Sequence, residues 1–278
     1  MINRWIGIAA LGLMLSVNAA LLVRDVFPDW FAGQPPESHA LHLAPGDEIN
    51  TQVGIFDGEG RRIACSWTRS ARSDDLIMVR HRTAIRPLRL PHDVAIPALR
   101  LDTDLNYHGQ ASLDHLRVRV YGLDIHIELE GEAIPPDDFA CRWQVGERRG
   151  EFVFPVASTR AIGDPVRPFE SLTGLQVGRS WRVKLLNPLA GIIPGWGERH
   201  MLRDTMLVRV TGVERVEYRG ETVEAFVVEA DGLRAWVGPS GRVMRYELEL
   251  PLFGTLTLID EPFDEEMRRE VLEGTMGR

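Results

Sequence analysis

The chain has 278 residues, of which 44% are hydrophobic and 26% are charged, a composition typical of folded globular proteins rather than of disordered segments. Its formal net charge of −8 disfavours a general attraction to nucleic acid, so no nucleic-acid partner is predicted. The sequence contains neither a Walker A motif nor a GxGxxG fingerprint, and no cofactor is predicted.

The first predicted element is an apolar helix. Residues 5–23 carry no charged side chain, and a helix of that length roughly spans the hydrocarbon core of a bilayer. Arg4 precedes this segment, whereas Asp25 and Asp29 follow it, so the positive-inside preference places the N terminus in the cytoplasm. We therefore predict that residues 1–32 form a cytoplasmic tip and a transmembrane signal anchor in membrane lipid. The protein would be a single-pass cell-membrane protein whose C-terminal domain is periplasmic.

Two alternatives remain open for this segment. Val17-Asn18-Ala19 resembles the cleavage site of a secretory signal peptide, which would have the same orientation. The apolar stretch exceeds the roughly 7 to 15 residues usual in signal peptides, and the aromatic residues Phe27, Trp30 and Phe31 are typical of a membrane interface. Both features favour an uncleaved anchor. The second alternative is a helix buried in a protein core.

The remainder of the chain is predicted to be a linker followed by a β-rich domain. Residues 33–46, GQPPESHALHLAPG, have the prolines, glycines and polar residues of a linker. Further on, short segments of alternating polarity separated by turn residues predict antiparallel strands over 47–278, with two lobes, 47–160 and 161–278, as an option. In LRVRVYGLDIHIELEGE the apolar phase switches at Tyr121-Gly122, where a bulge or hairpin is expected.

The C-terminal third has the clearest pattern. About five candidate strands are separated by turns at Arg219-Gly220, Asp231-Gly232 and Gly238-Pro239-Ser240-Gly241. After them, FDEEMRREVLEG predicts a short helix that is capped by Asp264 and ends at Gly274. Its docking stripe is Phe263, Met267 and Val271. The predicted fold class is therefore mainly β: a transmembrane helix, then an antiparallel curved sheet or half-barrel with a short C-terminal helix.

The strand, GPSG turn, GRVMRYELELP strand and GTLTL strand of this region resemble the curved antiparallel half-barrel proteins of the bacterial envelope. That group includes lipoprotein carriers and related uncharacterised periplasmic domains. For the carriers, the resemblance implies a curved sheet whose concave side receives acyl chains, sometimes with a helical lid. The present chain departs from them in its uncleaved anchor, its lack of evident lid helices and its N-terminal β region, so only the architecture is carried over.

Two cysteines, Cys65 and Cys141, occur in similar settings, IACSWT and FACRWQ. Outside the cytoplasm they could form a disulfide bond, which would stabilise the fold by roughly 4 kcal/mol in the chain-entropy model. The other interpretation is two buried thiols on strands. Because no CxxC motif occurs, dithiol redox chemistry is not expected.

Residues 60–100 carry nine Arg and three Asp in a chain whose net charge is −8. This local excess predicts either an ordinary solvated surface or a basic patch that faces anionic lipid or an acidic partner. The carboxylate pair Asp102 and Asp104, and the pair Asp124 and His126, each lie on one strand face because side chains alternate with period two. Such pairs suit acid–base chemistry, but they are also common on solvated strands, and no catalytic or metal-binding residue is predicted.

One segment is predicted to bind a ligand. LLNPLAGIIPGWGERHM is rich in the helix breakers glycine and proline, yet Leu189, Ile192, Ile193 and Trp196 are too apolar for a freely solvated loop. They either fold over the end of their own sheet or form a flap over a hydrophobic cavity or a tip that touches membrane or partner. We expect a non-catalytic binding or assembly protein for a hydrophobic ligand or an envelope protein. An envelope hydrolase with a spatially assembled site and a structural subunit of a membrane complex are the alternatives.

Overall fold

The structure is a computed structural model that describes residues 33, 36, 43–89, 95–108, 112–122, 126–135, 138–155, 172–183, 206–250 and 254–276. Across these residues the chain is mainly β, with one open, curved antiparallel sheet and one short C-terminal helix, which confirms that part of the predicted fold class. The predicted anchor lies outside the described residues. Within them, we find no helix with the length and apolar character needed to cross a membrane.

The strands are β1 (Glu48–Phe56), β2 (Arg62–Ser73), β3 (Leu76–Ile85), β4 (Leu88–Arg89), β5 (Ala95–Ile96), β6 (Leu99–His108), β7 (Ser112–Tyr121), β8 (Ile127–Ile134), β9 (Asp138–Val145), β10 (Arg148–Pro155), β11 (Ser180–Val183), β12 (Met206–Tyr218), β13 (Glu221–Ala230), β14 (Leu233–Val237), β15 (Val243–Leu250) and β16 (Gly254–Glu261). The helix is α1 (Glu265–Met276). Fourteen of the described strands form one sheet in the order β10-β9-β8-β7-β6-β3-β2-β1-β16-β15-β14-β13-β12-β11, whereas β4 pairs with β5.

The sheet consists of two meanders joined in its middle. The first contains β1 to β3 and β6 to β10, the second contains β11 to β16, and they meet where β1 pairs with β16. Several described residues of the predicted linker also contact this domain, among them Gly33, Leu43 and Gly46. The backbone N–H of Gly33 donates to the carbonyl oxygen of Ser180 at 2.8 Å, and Leu43 is buried. Part of residues 33–46 therefore packs on the domain.

The turns lie where the sequence predicts them. In the β12–β13 hairpin, Arg219 and Gly220 both have positive φ angles, 53° and 81°, as a tight two-residue hairpin requires. Gly122 directly follows β7 and has a φ of 95°, and a Cβ added there would lie 2.1 Å from the carbonyl oxygen of Ala98. Only glycine fits at that position. The hairpin that follows joins β7 to β8 and explains the switch of apolar phase at Tyr121-Gly122.

The apolar side chains on one face of the curved sheet, here called the inner face, form two buried clusters. The first meander contributes Ile77, Val79, Leu105, Tyr107, Leu113, Leu116, Val118, Leu129, Phe139 and Cys141. The second cluster comes mainly from β1 and β11 to β16 and includes Val53, Trp181, Val208, Val237 and Leu258. Burial of these side chains is the main source of stability for both meanders.

Helix α1 packs on the opposite face, here called the outer face. Its N-terminal turn is capped as predicted, because the Asp264 carboxylate accepts a hydrogen bond of 2.9 Å from the backbone N–H of Met267. The predicted docking stripe is confirmed: Phe263, Met267 and Val271 pack against a cluster formed by Cys65, Trp67, Ala84 and Leu272. The predicted helix end was wrong, since α1 continues to Met276. A glycine inside a helix costs only about 1 kcal/mol, so Gly274 does not have to end it.

Candidate functional site

A pocket of about 240 Å³ lies between α1 and the neighbouring ends of β2 and β3. We call it the helix pocket. Its apolar lining consists of Ala64, Ala84, Ile85, Pro87, Ala98, Met267 and Val271, and its polar lining consists of Arg62, Cys65 and Arg86. The pocket therefore combines apolar walls with two guanidinium groups and one thiol.

The two arginines of the helix pocket have different surroundings. Arg62 forms an ion pair with Glu261, in which its Nη1 lies 3.0 Å from Oε2 of the carboxylate. Its guanidinium also lies 5.1 Å from the centre of the Phe56 ring. Arg86 is exposed, and among the described residues no carboxylate lies within ion-pair distance of it. Arg86 is therefore the cation of this pocket that is available to an anionic group.

The start of α1 is held in place by Gln52 of β1. The Gln52 side-chain oxygen accepts hydrogen bonds from the indole N–H of Trp67 at 2.8 Å and from the backbone N–H of Asp264 at 3.0 Å. Its amide nitrogen donates to Glu261 at 3.1 Å. Because Gln52 and Trp67 are both 2% exposed, the bond between them is shielded from water, and together the three bonds fix the helix against the sheet.

The two cysteines are free and buried, so the structure shows the interpretation of two buried thiols and not the disulfide bond. Cys65 lies on β2 at the helix pocket, whereas Cys141 lies on β9 in the inner-face cluster. The sheet order places these strands five positions apart, which is about 24 Å along the curved sheet at the usual strand spacing. A disulfide bond requires Cα atoms within about 7 Å, and the two side chains also lie on opposite faces.

Burial raises the pKa of the Cys65 thiol to about 11 and that of the Cys141 thiol to about 12. A raised thiol pKa means that the folded protein favours the uncharged form. This contribution to stability is present below the ordinary thiol pKa of about 9 and is lost as the pH rises through 11 to 12.

We therefore expect both thiols to react slowly with iodoacetamide around pH 8 in the folded protein, because the thiolate is the reactive form. Denaturation in urea should increase the labelling rate of both by at least about tenfold, as mass spectrometry of the labelled peptides would show. Rapid labelling of Cys65 in the folded chain would mean that the helix pocket activates this thiol.

Outward from α1, the outer face carries two rows of charged side chains, which we call the ionic lattice. Directly opposed residues on successive strands form one row: Arg80, Asp104, Arg117, Glu130, Arg142 and Glu151. The adjacent row is Arg82, Asp102, Arg119, Glu128, Gln144 and Arg149. In the first row the sign of the charge alternates at every strand. Opposite charges on neighbouring strands stabilise a sheet, usually by about 0.2–1 kcal/mol per pair.

Asp102 is the most buried member of the ionic lattice, with its side chain 2% exposed. It accepts two hydrogen bonds of 2.7 Å from Arg100, and Arg82 Nε lies 3.3 Å away. Asp104 in turn contacts Arg82 at 3.0 Å and Arg119 at 3.2 Å. The predicted pair Asp102 and Asp104 therefore shares one face as expected, and both carboxylates form ion pairs with arginines.

The basic excess predicted for residues 60–100 is partly neutralised by these ion pairs. Arg80, Arg82 and Arg100 bind the two carboxylates of β6, and Arg62 binds Glu261. His126 contacts Glu128 at 3.3 Å, whereas Asp124 lies outside the described residues. Arg62 and Arg86 of the basic segment both line the helix pocket. Of these two, Arg86 has no carboxylate partner among the described residues.

Sequence reasoning missed a second buried carboxylate, Asp260. It accepts hydrogen bonds from the hydroxyl of Tyr218, from Arg242 at 2.8 Å and from Arg219 at 3.1 Å. Burial, followed by the hydrogen bond to this carboxylate, raises the pKa of Tyr218 to about 12. Asp260 lies in β16 while its partners belong to two hairpins, so no local motif could have indicated the cluster.

The predicted ligand-binding residues Leu189, Ile192, Ile193 and Trp196 lie outside the described residues. In the part of the chain that the structure describes, no group of three or more His, Cys, Asp or Glu side chains could hold a metal ion. Among the described residues, the helix pocket and the ionic lattice are the candidate functional features.

Comparisons with known proteins gave limited results. No protein-family model matches the chain. No curated protein matches it in sequence. Among solved structures, the chain is similar to a β-barrel-like protein from Brucella abortus, described as domain of unknown function DUF1849, with a TM-score of 0.41 and 7% sequence identity. The similarity covers 79% of this chain and 97% of that one.

Proposed function

We propose that the chain is a membrane-anchored, extracytoplasmic, non-catalytic protein that binds a hydrophobic ligand with an acidic group in the helix pocket. The observation that carries this proposal is the combination of an apolar lining with the exposed guanidinium of Arg86. An amphiphile would place its apolar part against Met267, Val271 and Ile85, and its anionic group beside Arg86.

The size of the pocket limits what it can hold. Drug-sized ligands usually occupy clefts of about 300–1,000 Å³, and the helix pocket measures about 240 Å³. It therefore suits a single short acyl chain, or the end of a longer one, rather than a complete two-chain lipid. Burying the apolar part of such a ligand would contribute roughly 0.8 kcal/mol for each CH₂ group removed from water.

The proposed anchor would keep the helix pocket near the membrane, which contains the ligand. If residues 5–23 span the membrane, the β domain stays close to the outer surface of that membrane, where single-chain amphiphiles partition. The anchor holds the pocket near a concentrated pool of ligand, so that even modest affinity is sufficient.

Photolabelling of the full chain tests the proposal. We would reconstitute the protein into phosphatidylcholine vesicles, add a fatty acid that carries a diazirine near its methyl end, irradiate, and map the labelled peptides by mass spectrometry. Label is expected on the peptides that contain residues 84–87 and 267–271. Val271→Trp, which fills the pocket, and Arg86→Glu, which repels the carboxylate, should each reduce that label at least fivefold, or about 1 kcal/mol.

Arg215→Glu is the matched control, because Arg215 is an exposed arginine of β12 whose side chain is 78% accessible. It reverses the same charge far from the helix pocket in sequence, and labelling should be unchanged. Label confined to residues 5–23, or equal labelling of all variants, would contradict ligand binding in this pocket. Native purification that yields a stoichiometric envelope protein and no lipid would favour the assembly role instead.

A further inference from the structure

Strand β10 lies at one edge of the sheet, since among the described strands it pairs with β9 alone. Its outer-face residues Arg149, Glu151 and Val153 are all exposed, and Val153 is 60% exposed. Strand edges are templates for pairing with another strand, and proteins usually cover or protect them.

The charge alternation of the ionic lattice continues up to this edge. In one row the sign alternates from Arg80 across six strands to Glu151, while the adjacent row ends at Arg149. Strands β8, β9 and β10 also form a groove of about 530 Å³. Its charged lining is Glu128, Glu130, Arg142, Arg149 and Glu151. Arg142 and Arg149 have no carboxylate within ion-pair distance among the described residues.

We propose that two copies of the chain pair antiparallel through β10, with Gly150 of one copy opposite Gly150 of the other. In this register Arg149 of each copy lies opposite Glu151 of the other copy. Directly opposed residues of an antiparallel pair project on the same face. The charge alternation therefore continues from one sheet into the next.

Two-fold symmetry limits the registers in which two copies of β10 can pair. A two-fold axis between identical antiparallel strands must pass between a residue and its own copy. An axis at Arg149 or at Glu151 would place two identical charges face to face, which is destabilising. An axis at Gly150 brings opposite charges together on both sides. Glycine also suits the axis because it has no side chain; a Cβ there would lie 2.7 Å from the ring of Trp143.

The proposal goes beyond ligand binding, because it concerns a different edge of the sheet and a different partner. It is tested by co-expressing full-length chains that carry two different affinity tags and by isolating one tag in mild detergent. Wild-type chains should co-purify, and sedimentation of the purified protein should show a dimer. Arg149→Glu alone and Glu151→Arg alone should each reduce co-purification at least tenfold, because both contacts across the axis become repulsive.

Combining the two variants gives the decisive result. A chain with Arg149→Glu and a chain with Glu151→Arg meet with opposite charges at both contacts, so this mixture should recover at least half of the wild-type co-purification. The exposed Arg215→Glu variant is the control and should pair like wild type. Failure of the mixture to associate, or self-association of either single variant, would overturn the register.

A second measurement does not depend on charge. Chains with Arg149→Cys and chains with Glu151→Cys, co-expressed and mildly oxidised, should form a disulfide-linked pair, since the two positions lie opposite each other across the axis. Each variant expressed alone should cross-link much less. A wild-type protein that sediments as a monomer at micromolar concentration, without cross-linking of the mixture, would show instead that the charges protect the edge. Photolabelling of the helix pocket would be unaffected by either result.

Discussion

Replacing Asp102 by Asn should lower the free energy of unfolding by about 3 kcal/mol, measured by urea denaturation monitored by tryptophan fluorescence. The substitution keeps the size of the side chain but removes its charge, so that Arg100 loses its carboxylate partner and Arg82 keeps only Asp104. The side chains of these arginines are only 19% and 13% exposed, so water can compensate for little of the loss. The value lies at the lower end of the range for broken buried pairs because some solvent access remains.

Asp114→Asn is the matched control for this experiment. Asp114 lies on the neighbouring strand β7, is exposed, and forms no ion pair with the described residues. Its substitution should change the free energy of unfolding by no more than about 0.5 kcal/mol. If Asp102→Asn changed the free energy of unfolding as little as Asp114→Asn, the ion pairs in the buried part of the ionic lattice would contribute little to the stability of the sheet.

Replacing Trp67 by Ala should lower the free energy of unfolding by about 3–5 kcal/mol and should detach α1 from the sheet. Trp67 is 2% exposed in the cluster beneath the helix, and its indole N–H donates to Gln52. Loss of the ring would leave a cavity, and it would free one acceptor of the glutamine that also binds the backbone at Asp264. Amide hydrogen exchange within α1 should therefore increase together with the fall in stability.

Trp67→Phe separates packing from hydrogen bonding. The phenyl ring fills most of the space, so the remaining loss of about 1–3 kcal/mol in the free energy of unfolding reports the Gln52 oxygen, which has lost the indole donor and keeps only the backbone N–H of Asp264. Exchange in α1 should rise less than in Trp67→Ala. Equal effects of the two substitutions would mean that the hydrogen bond, and not the apolar packing, holds the helix over the pocket.

Local features of the fold were predictable because they depend on residues close in sequence. Alternating polarity predicts the strands, and a pair such as Arg219-Gly220 predicts a tight hairpin through its positive φ angles. The same is true of the cap at Asp264 and of the stripe that includes Met267, since helix geometry fixes which residues share a face. The anchor, the extracytoplasmic location and the likeness to lipoprotein carriers stay predictions.

Long-range features could not be predicted, because residue patterns do not specify which distant strands pair. Nothing local indicates that Gln52 lies opposite Glu261, or that Cys65 and Cys141 lie on opposite faces. The sequence indicated some members of the candidate site but not the site itself: the docking stripe contributes Met267 and Val271, and the basic segment contributes Arg86. Their convergence at one pocket depends on the sheet order.

The junction between the two meanders has a consequence for how the chain folds. Val53 pairs with Asp260, a contact that spans about three quarters of the whole sequence. Contacts with such high sequence separation have a large loop-closure entropy and form slowly. During synthesis the whole first meander leaves the ribosome before β16 does, so that its edge strand β1 has no partner on one side during this time. Until the last residues leave the ribosome, β1 is an open edge, and this interval is where aggregation of the nascent chain is most expected.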